Sequence, residues 1–260
     1  MYSDEHKIYL RKIKTNKFIV LFFKIFILIS FILSWELLAK YEIINPFLTS
    51  YPSEIFLTIF DLFKENNLLT HVFVTLYETV ISFILASFFG LLIASLFWSN
   101  NTIFKIFDPY LTILNSLPKI SLGPLIIIWM GANVKSIIFM ALLIAVFTTI
   151  INMYNAFSNT DQYKIKLMKS FGASKLQIFT KLVLRGNVDS LVSTLKINIS
   201  LSLIGVIMGE LLVSKQGLGY LITYGSQVFN LNLVLTSIFI LGILSYILYV
   251  LIDLIEKKLK

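Results

Sequence analysis

No cysteine occurs among the 260 residues, which excludes disulfides and thiolate metal sites. Histidine is almost missing too: His6 and His71 stand alone, and neither has the partners a metal site needs. Charged residues make up 14% of the chain, well below the usual share of a soluble domain. A GxxxxGK[ST] phosphate loop is absent, and GASK around Gly172 lacks the spacing that cradles phosphates at a helix N-terminus. Neither a nucleophile triad nor a catalytic carboxylate pair can be drawn, so no enzyme activity is expected of this chain. The sequence has no internal repeat and no soluble module. A net charge of +8 without a basic soluble face excludes a nucleic-acid role.

What the chain does have is apolar length. Hydrophobic residues make up 57%, aromatics 15%, and mean hydropathy is +0.86. The apolar runs are continuous rather than alternating, which predicts an all-α integral membrane protein and excludes a barrel. Six spans can be drawn: Phe18 to Leu38, Val72 to Phe97, Pro109 to Met130, Ser136 to Met153, Leu191 to Val213 and Leu233 to Leu254. The third contains Pro118, Gly123 and Pro124, which break its hydrogen-bond ladder. The expected organisation is a basic N-terminal segment, residues 1–17, followed by one transmembrane domain, 18–260. The first span is too long for a signal peptide and ends without a small-x-small cleavage site, so it is expected to stay.

Basic residues orient the spans. With both termini in the cytoplasm, fifteen of the 22 Lys and Arg lie inside, four outside (Lys40, Lys64, Lys135, Lys215) and three within spans (Lys24, Lys119, Lys196). Positive charge retained on the cytoplasmic side supports that orientation. Tyr41 to Thr70 then lies outside, with a short surface helix over Ser53 to Phe63, and Ser99 to Asp108 is a cytoplasmic turn. Ser214 to Asn232 returns outside, where Leu218 to Phe229 can form a re-entrant or surface-lying helix.

Between spans four and five lies a polar interruption, 158–187, with six basic residues against one acid. Read as helix, Asp161 to Phe171 gathers Tyr163, Ile165, Leu167, Met168 and Phe171 on one arc. Gly172 offers the left-handed conformation that ends a helix, and Ser174 with Gln177 has the spacing of a capping box. A second amphipathic helix follows from Lys175 to Val183. On this pattern alone two readings stay open: a hairpin lying on anionic lipid, or a docking element for a protein partner.

A set of segments bears on the choice. YPSEI (51–55), Thr75-Leu76, FFGLLIA (88–94), DPYLTILNSLPKISLGPLIIIWMGANVKS (108–136), the loop motif at 171–184 and MGELLVSKQGLGYLI (208–222) occur in this order. Together they resemble the permease subunit of a type I ATP-binding-cassette importer, in the branch serving nitrate, sulfonate, taurine and thiamine-precursor uptake, over roughly Pro46 to Lys258. The resemblance implies a multi-pass protein of the bacterial plasma or inner membrane that moves a small solute inward by alternating access. It implies cytoplasmic ATPase subunits, an extracytoplasmic solute-binding protein, a second permease copy and membrane lipid as partners. No cofactor is expected on this chain; ATP and Mg are used by the ATPase. The interruption becomes the coupling element, centred on Phe171, Gly172, Ala173, Ser174 and Lys175. A secondary transporter driven by an ion gradient is the alternative, and would show inverted repeats about a midplane site.

The sequence departs from the family pattern in this loop. Lys166, Leu167 and Met168 stand where the family has glutamate-alanine-alanine, and Arg185 and Asp189 stand at family prolines. The turn into span five is therefore expected to be built differently. Candidate path or interface residues are Asn115, Ser116 and Lys119 in span three and Asn198 and Glu210 in span five, each with a packing role as the competing reading. Glu36 and Glu78 are expected to snorkel to the outer interface, and Lys196 to the cytoplasmic one.

Overall fold

The computed structural model describes residues 4–64 and 67–259. Residues 1–3 of the basic N-terminal segment, the side chains of Lys7, Arg11 and Lys258, and Lys260 lie outside the described residues. Among the described residues the ordered elements are all helical.

Helix α1, Asp4–Lys40, carries the first span and is exposed along almost its whole described length. Among the described residues it meets α2 and α3 at its C-terminal end. There the Trp35 indole donates to the Ser50 carbonyl, and Glu36 accepts from both the Ser53 amide (3.0 Å) and its hydroxyl (2.7 Å). Glu36 therefore does not snorkel. It stands at the start of α3, Pro52–Lys64, where a carboxylate satisfies orphan amides, and also pairs with Lys40 at 3.0 Å. A short α2, Pro46–Thr49, is capped by the Asn45 side chain and precedes α3.

The centre of the molecule is made by α4 (Leu68–Ser99), α7 (Val134–Ser158) and α11 (Val188–Val213), whose α4–α7 and α7–α11 contacts are the most extensive between helices among the described residues. Lipid provides no hydrophobic drive between helices, so close backbone approach through small residues has to supply the attraction. At Gly205 of α11 an added Cβ would lie 2.4 Å from Ala141 Cα of α7, closer than any side chain could be placed.

The turn expected over Ser99 to Asp108 shrinks to one residue. Asn100 ends α4, and its side chain accepts from the amides of Thr102 and Ile103, starting α5 (Asn101–Ser116) at once. Span three is not one rod. Leu117, forced into an extended conformation ahead of Pro118, ends α5; a 3-10 turn over Lys119–Leu122 leads into α6, Gly123–Met130, and the two halves meet at 86°. Among the described residues there are thus five continuous apolar helices long enough to cross a membrane, and a sixth span if the bent pair α5 and α6 is taken as one.

Beyond α7 a cluster of short helices leads into α11. After α11, α12 (Leu218–Gln227) folds back against α13 (Leu231–Leu259), and both lean on α11 through Val192, Leu203, Leu218, Leu221, Leu241 and Leu244, while α12 also meets α4. Lys196 is tied to the last turns of α13. Its ammonium pairs with Asp253 at 2.5 Å and Glu256 at 2.6 Å on α13, because those acids lie directly across from it.

Replacing Gly205 with Val should overpack the α7–α11 contact at a cost of about 1–3 kcal/mol. Thermal unfolding in detergent should show a clearly lowered Tm, whereas Ile204→Val on the exposed neighbouring face should leave it near wild type.

Candidate functional site

The interruption between α7 and α11 is an ordered elbow. Asp161 accepts the Tyr163 amide at 2.8 Å and starts α8, Gln162–Ser170. The helix ends in a Schellman arrangement: Gly172 at φ +75° donates to the Lys169 carbonyl and Ala173 to the Met168 carbonyl, both at 3.0 Å. Ser174 then caps α9, Lys175–Ile178. Its hydroxyl accepts the Gln177 amide, and the Gln177 side chain accepts the Ser174 amide.

The second helix differs from a plain α-helix over Lys175 to Val183. From Phe179 to Val183 it widens into a π turn, then resumes as α10, Leu184–Gly186. Ile178 and Val183 are five residues apart, a spacing that α geometry would point in different directions; the i→i+5 turn puts both into one core with Met153 and Phe157. The turn into α11 is built by Asn187, whose amide donates to the Val183 carbonyl (2.8 Å) and to the Thr160 hydroxyl (2.9 Å). This supplies the closure at the turn that Arg185 and Asp189 flank.

The elbow is bound to two spans at once. Ile165, Ile178 and Val183 bury against Ala94 of α4 and against Met153 and Phe157 of α7. The Lys175 ammonium hydrogen-bonds the Ser99 carbonyl at the C-terminus of α4, where a cation meets the exposed end of the helix dipole. Phe171 and Gly172 stand out from this base: Phe171 is 80% exposed, and an added Cβ at Gly172 would touch nothing. The five elbow residues Phe171 to Lys175 are contiguous at the bend, with Ala173 half-buried beneath it.

The candidate path residues separate into two groups. Asn115, Ser116 and Lys119 gather at the bend between α5 and α6, where the Lys119 ammonium bonds the Asn115 carbonyl (3.1 Å) and side-chain oxygen (3.3 Å) and lies 5.7 Å from the centre of the Phe147 ring. Asn115 and Ser116 are exposed. Asn198 and Glu210 face the other way, into the α4–α11 interface. Asn198 donates to the Ser87 hydroxyl at 2.6 Å.

Glu210 organises the end of the bundle opposite the elbow. One carboxylate oxygen accepts from the Thr75 hydroxyl (2.7 Å), the other from the Gly219 amide (2.6 Å). Thr75 in turn accepts the Leu218 amide at 2.8 Å, and His71 Nδ1 accepts the Gly217 amide at 3.0 Å. Gly217, the residue at the N-cap, has no side chain to offer, so α12 is capped by side chains from α4 and α11. Glu78 does not snorkel either. It is fully buried beside Glu210, one turn along α4 from Thr75. His71, Thr75 and Glu78 carry no functional expectation from sequence. Their signal was readable all the same, as a polar stripe at i, i+4, i+7 in an otherwise apolar span. Among the described residues no three His, Asp or Glu are placed to hold a metal.

Comparison with known proteins decides the family. The family model for binding-protein-dependent transport system inner membrane components matches residues 86–260. The chain belongs to that family. A Haemophilus influenzae protein described as an ABC transporter permease is 33% identical over 74% of this chain and 79% of its own length. The formylaminopyrimidine transport permease ThiX of Halalkalibacterium halodurans is 29% identical over 86% and 89% respectively. Among solved structures, an inward-facing form of the MetNI methionine ABC transporter superposes with a TM-score of 0.67 at 21% identity, covering 73% of this chain and 94% of that one. The molecule is therefore a multi-pass ABC importer permease of the cell membrane, in the branch its motifs resemble.

Removing the Glu210 carboxylate would orphan the Thr75 hydroxyl and the Gly219 amide. Glu210→Ala should cost about 1–3 kcal/mol and speed hydrogen exchange at the amides of residues 217–222. Exchange there unchanged from wild type would mean that the carboxylate does not hold α12.

Proposed function

We propose that this permease passes a small solute from an external binding protein into the cytoplasm by alternating access, driven by ATP hydrolysis on separate ATPase subunits that carry the nucleotide and Mg. Both termini and the elbow lie in the cytoplasm in this reading, α12 lies at the outer end, and residues 18–260 act as one transport domain after the basic segment 1–17. Two copies of the chain, embedded in lipid, form the path between them. The solute is a pyrimidine-type compound, a sulfonate, taurine or nitrate; the likeness to the formylaminopyrimidine permease ThiX supports the first.

The observation that carries the reading is the elbow. It is rigidly capped at both helix junctions, packed against the ends of α4 and α7, and continuous with α11, yet it holds Phe171 and Gly172 clear of the bundle. A partner that grips this bend can displace three spans together, as transmission of hydrolysis to a membrane path requires. The bend of span three supports a path on its own side. Its freed backbone needs a water-filled or protein-lined surrounding, and Lys119 there offers a positive charge to an anionic solute. A transporter driven by an ion gradient would have no use for such an exposed bend.

Transport in proteoliposomes should require ATP, the ATPase and the binding protein; uptake in ATP-free vesicles would overturn the reading. Gly172 is strained for other residues by its φ rather than by crowding. Gly172→Val should therefore cut stimulated ATP hydrolysis at least tenfold with membrane insertion intact, while Gly172→Asn, which tolerates the left-handed region, should retain most of it.

A further inference from the structure

The elbow carries more than a bend. No acidic residue occurs between Asp161 and Asp189, while six basic ones do. On α8 and at its C-cap, Tyr163, Leu167 and Phe171 follow at i, i+4, i+8 and form one exposed apolar stripe, Tyr163 being 83% and Phe171 80% exposed. At 3.6 residues per turn, Lys164 lies on one flank of the stripe and Lys166 on the other. Both lysines are exposed, and among the described residues neither pairs with a carboxylate. Lys166 lies 5.9 Å from the centre of the Tyr163 ring.

The stripe has a direction. Ile165, the residue of α8 buried against α4 and α7, sits roughly 160° around the helix from the middle of the stripe. The apolar rings therefore point away from the span ends and away from the bilayer in which those spans lie. A helix lying on lipid would turn its apolar face the other way.

We propose that the elbow selects its ATPase by charge: the stripe enters an apolar cleft whose rim carries carboxylates facing Lys164 and Lys166, so that ATPases with neutral or basic rims at this place are rejected. This rests on the coupling role proposed above and adds the chemistry of the partner. Unpaired lysines on both flanks repel a basic rim and are compensated by an acidic one, an arrangement that acts on choice of partner and on rate of assembly.

The test uses the full chain in nanodiscs, with the ABC-type ATPases of the source organism expressed one at a time. The cognate ATPase should have acidic residues at its cleft rim, and its retention should fall at least tenfold between 50 and 500 mM salt, conditions that shorten the range of exposed charges. Lys164→Glu with Lys166→Glu should lose retention at low salt, and changing the rim carboxylates to lysine should restore it. Rescue separates a charge contact from simple misfolding. Retention that ignores both salt and charge reversal would overturn the proposal while leaving the coupling role standing. Retention of no ATPase by the wild-type chain would overturn the coupling role itself. Protection of the elbow from hydrogen exchange that follows the anionic lipid content and ignores the ATPase would assign the lysines to the membrane and also overturn the proposal.

Discussion

The first amides of a helix have no partner within it, so each interruption of a helix in this chain has to bring its own. Asn45, Asn100, Asn133, Asp161 and Ser174 each turn a side-chain oxygen onto the first free amides of the helix that follows. Asn230 does the same for the Leu233 amide, while Asn187 closes its turn in the opposite sense, its side-chain NH2 donating to the Val183 carbonyl. At Gly217 the backbone runs at φ +102°, where a cap residue with a side chain would be strained. Capping is there handed to His71, Thr75 and Glu210 on two other helices, and a local requirement becomes a tertiary link.

That substitution connects the two ends of the bundle. Glu210 and Gly205 belong to the same helix, α11, one holding α12 and the other pressed against α7. The same helix begins at Asn187, whose amide closes the elbow. A displacement of the elbow therefore acts on a single rigid rod that carries α12 at its far end. The close α7–α11 contact leaves little room for the two helices to slide separately, because packed interiors respond by discrete shifts rather than by gradual deformation.

Local patterns in the chain were enough for most of the architecture. The apolar runs, the Schellman glycine at 172, the capping box at Ser174 and the helix after Pro52 depend on residues within a few positions of one another, and the structure follows them closely. Pro118 and Pro124 marked a broken third span for the same reason. What local pattern did not reach was the direction of charged side chains. Glu36 and Glu78 read as snorkelling residues because their partners, Ser53 and Glu210, lie 17 and 132 positions away in the chain. The π turn at Phe179 was hidden similarly, since it exists to bring Val183 against Phe157 and Met153 of another helix.

Composition and order of motifs by themselves determined that this chain is a helical membrane permease with a basic helical elbow, because hydrophobic length, capping chemistry and charge asymmetry act along the chain. The 86° bend, the burial of Asn198 and Glu210 away from the open face, the shared cap of α12 and the outward direction of the Tyr163, Leu167 and Phe171 stripe were decided by the tertiary structure alone. Each depends on which helix stands opposite, and helices without a hydrophobic drive between them choose their neighbours through backbone approach and paired polar groups rather than through any pattern one helix carries.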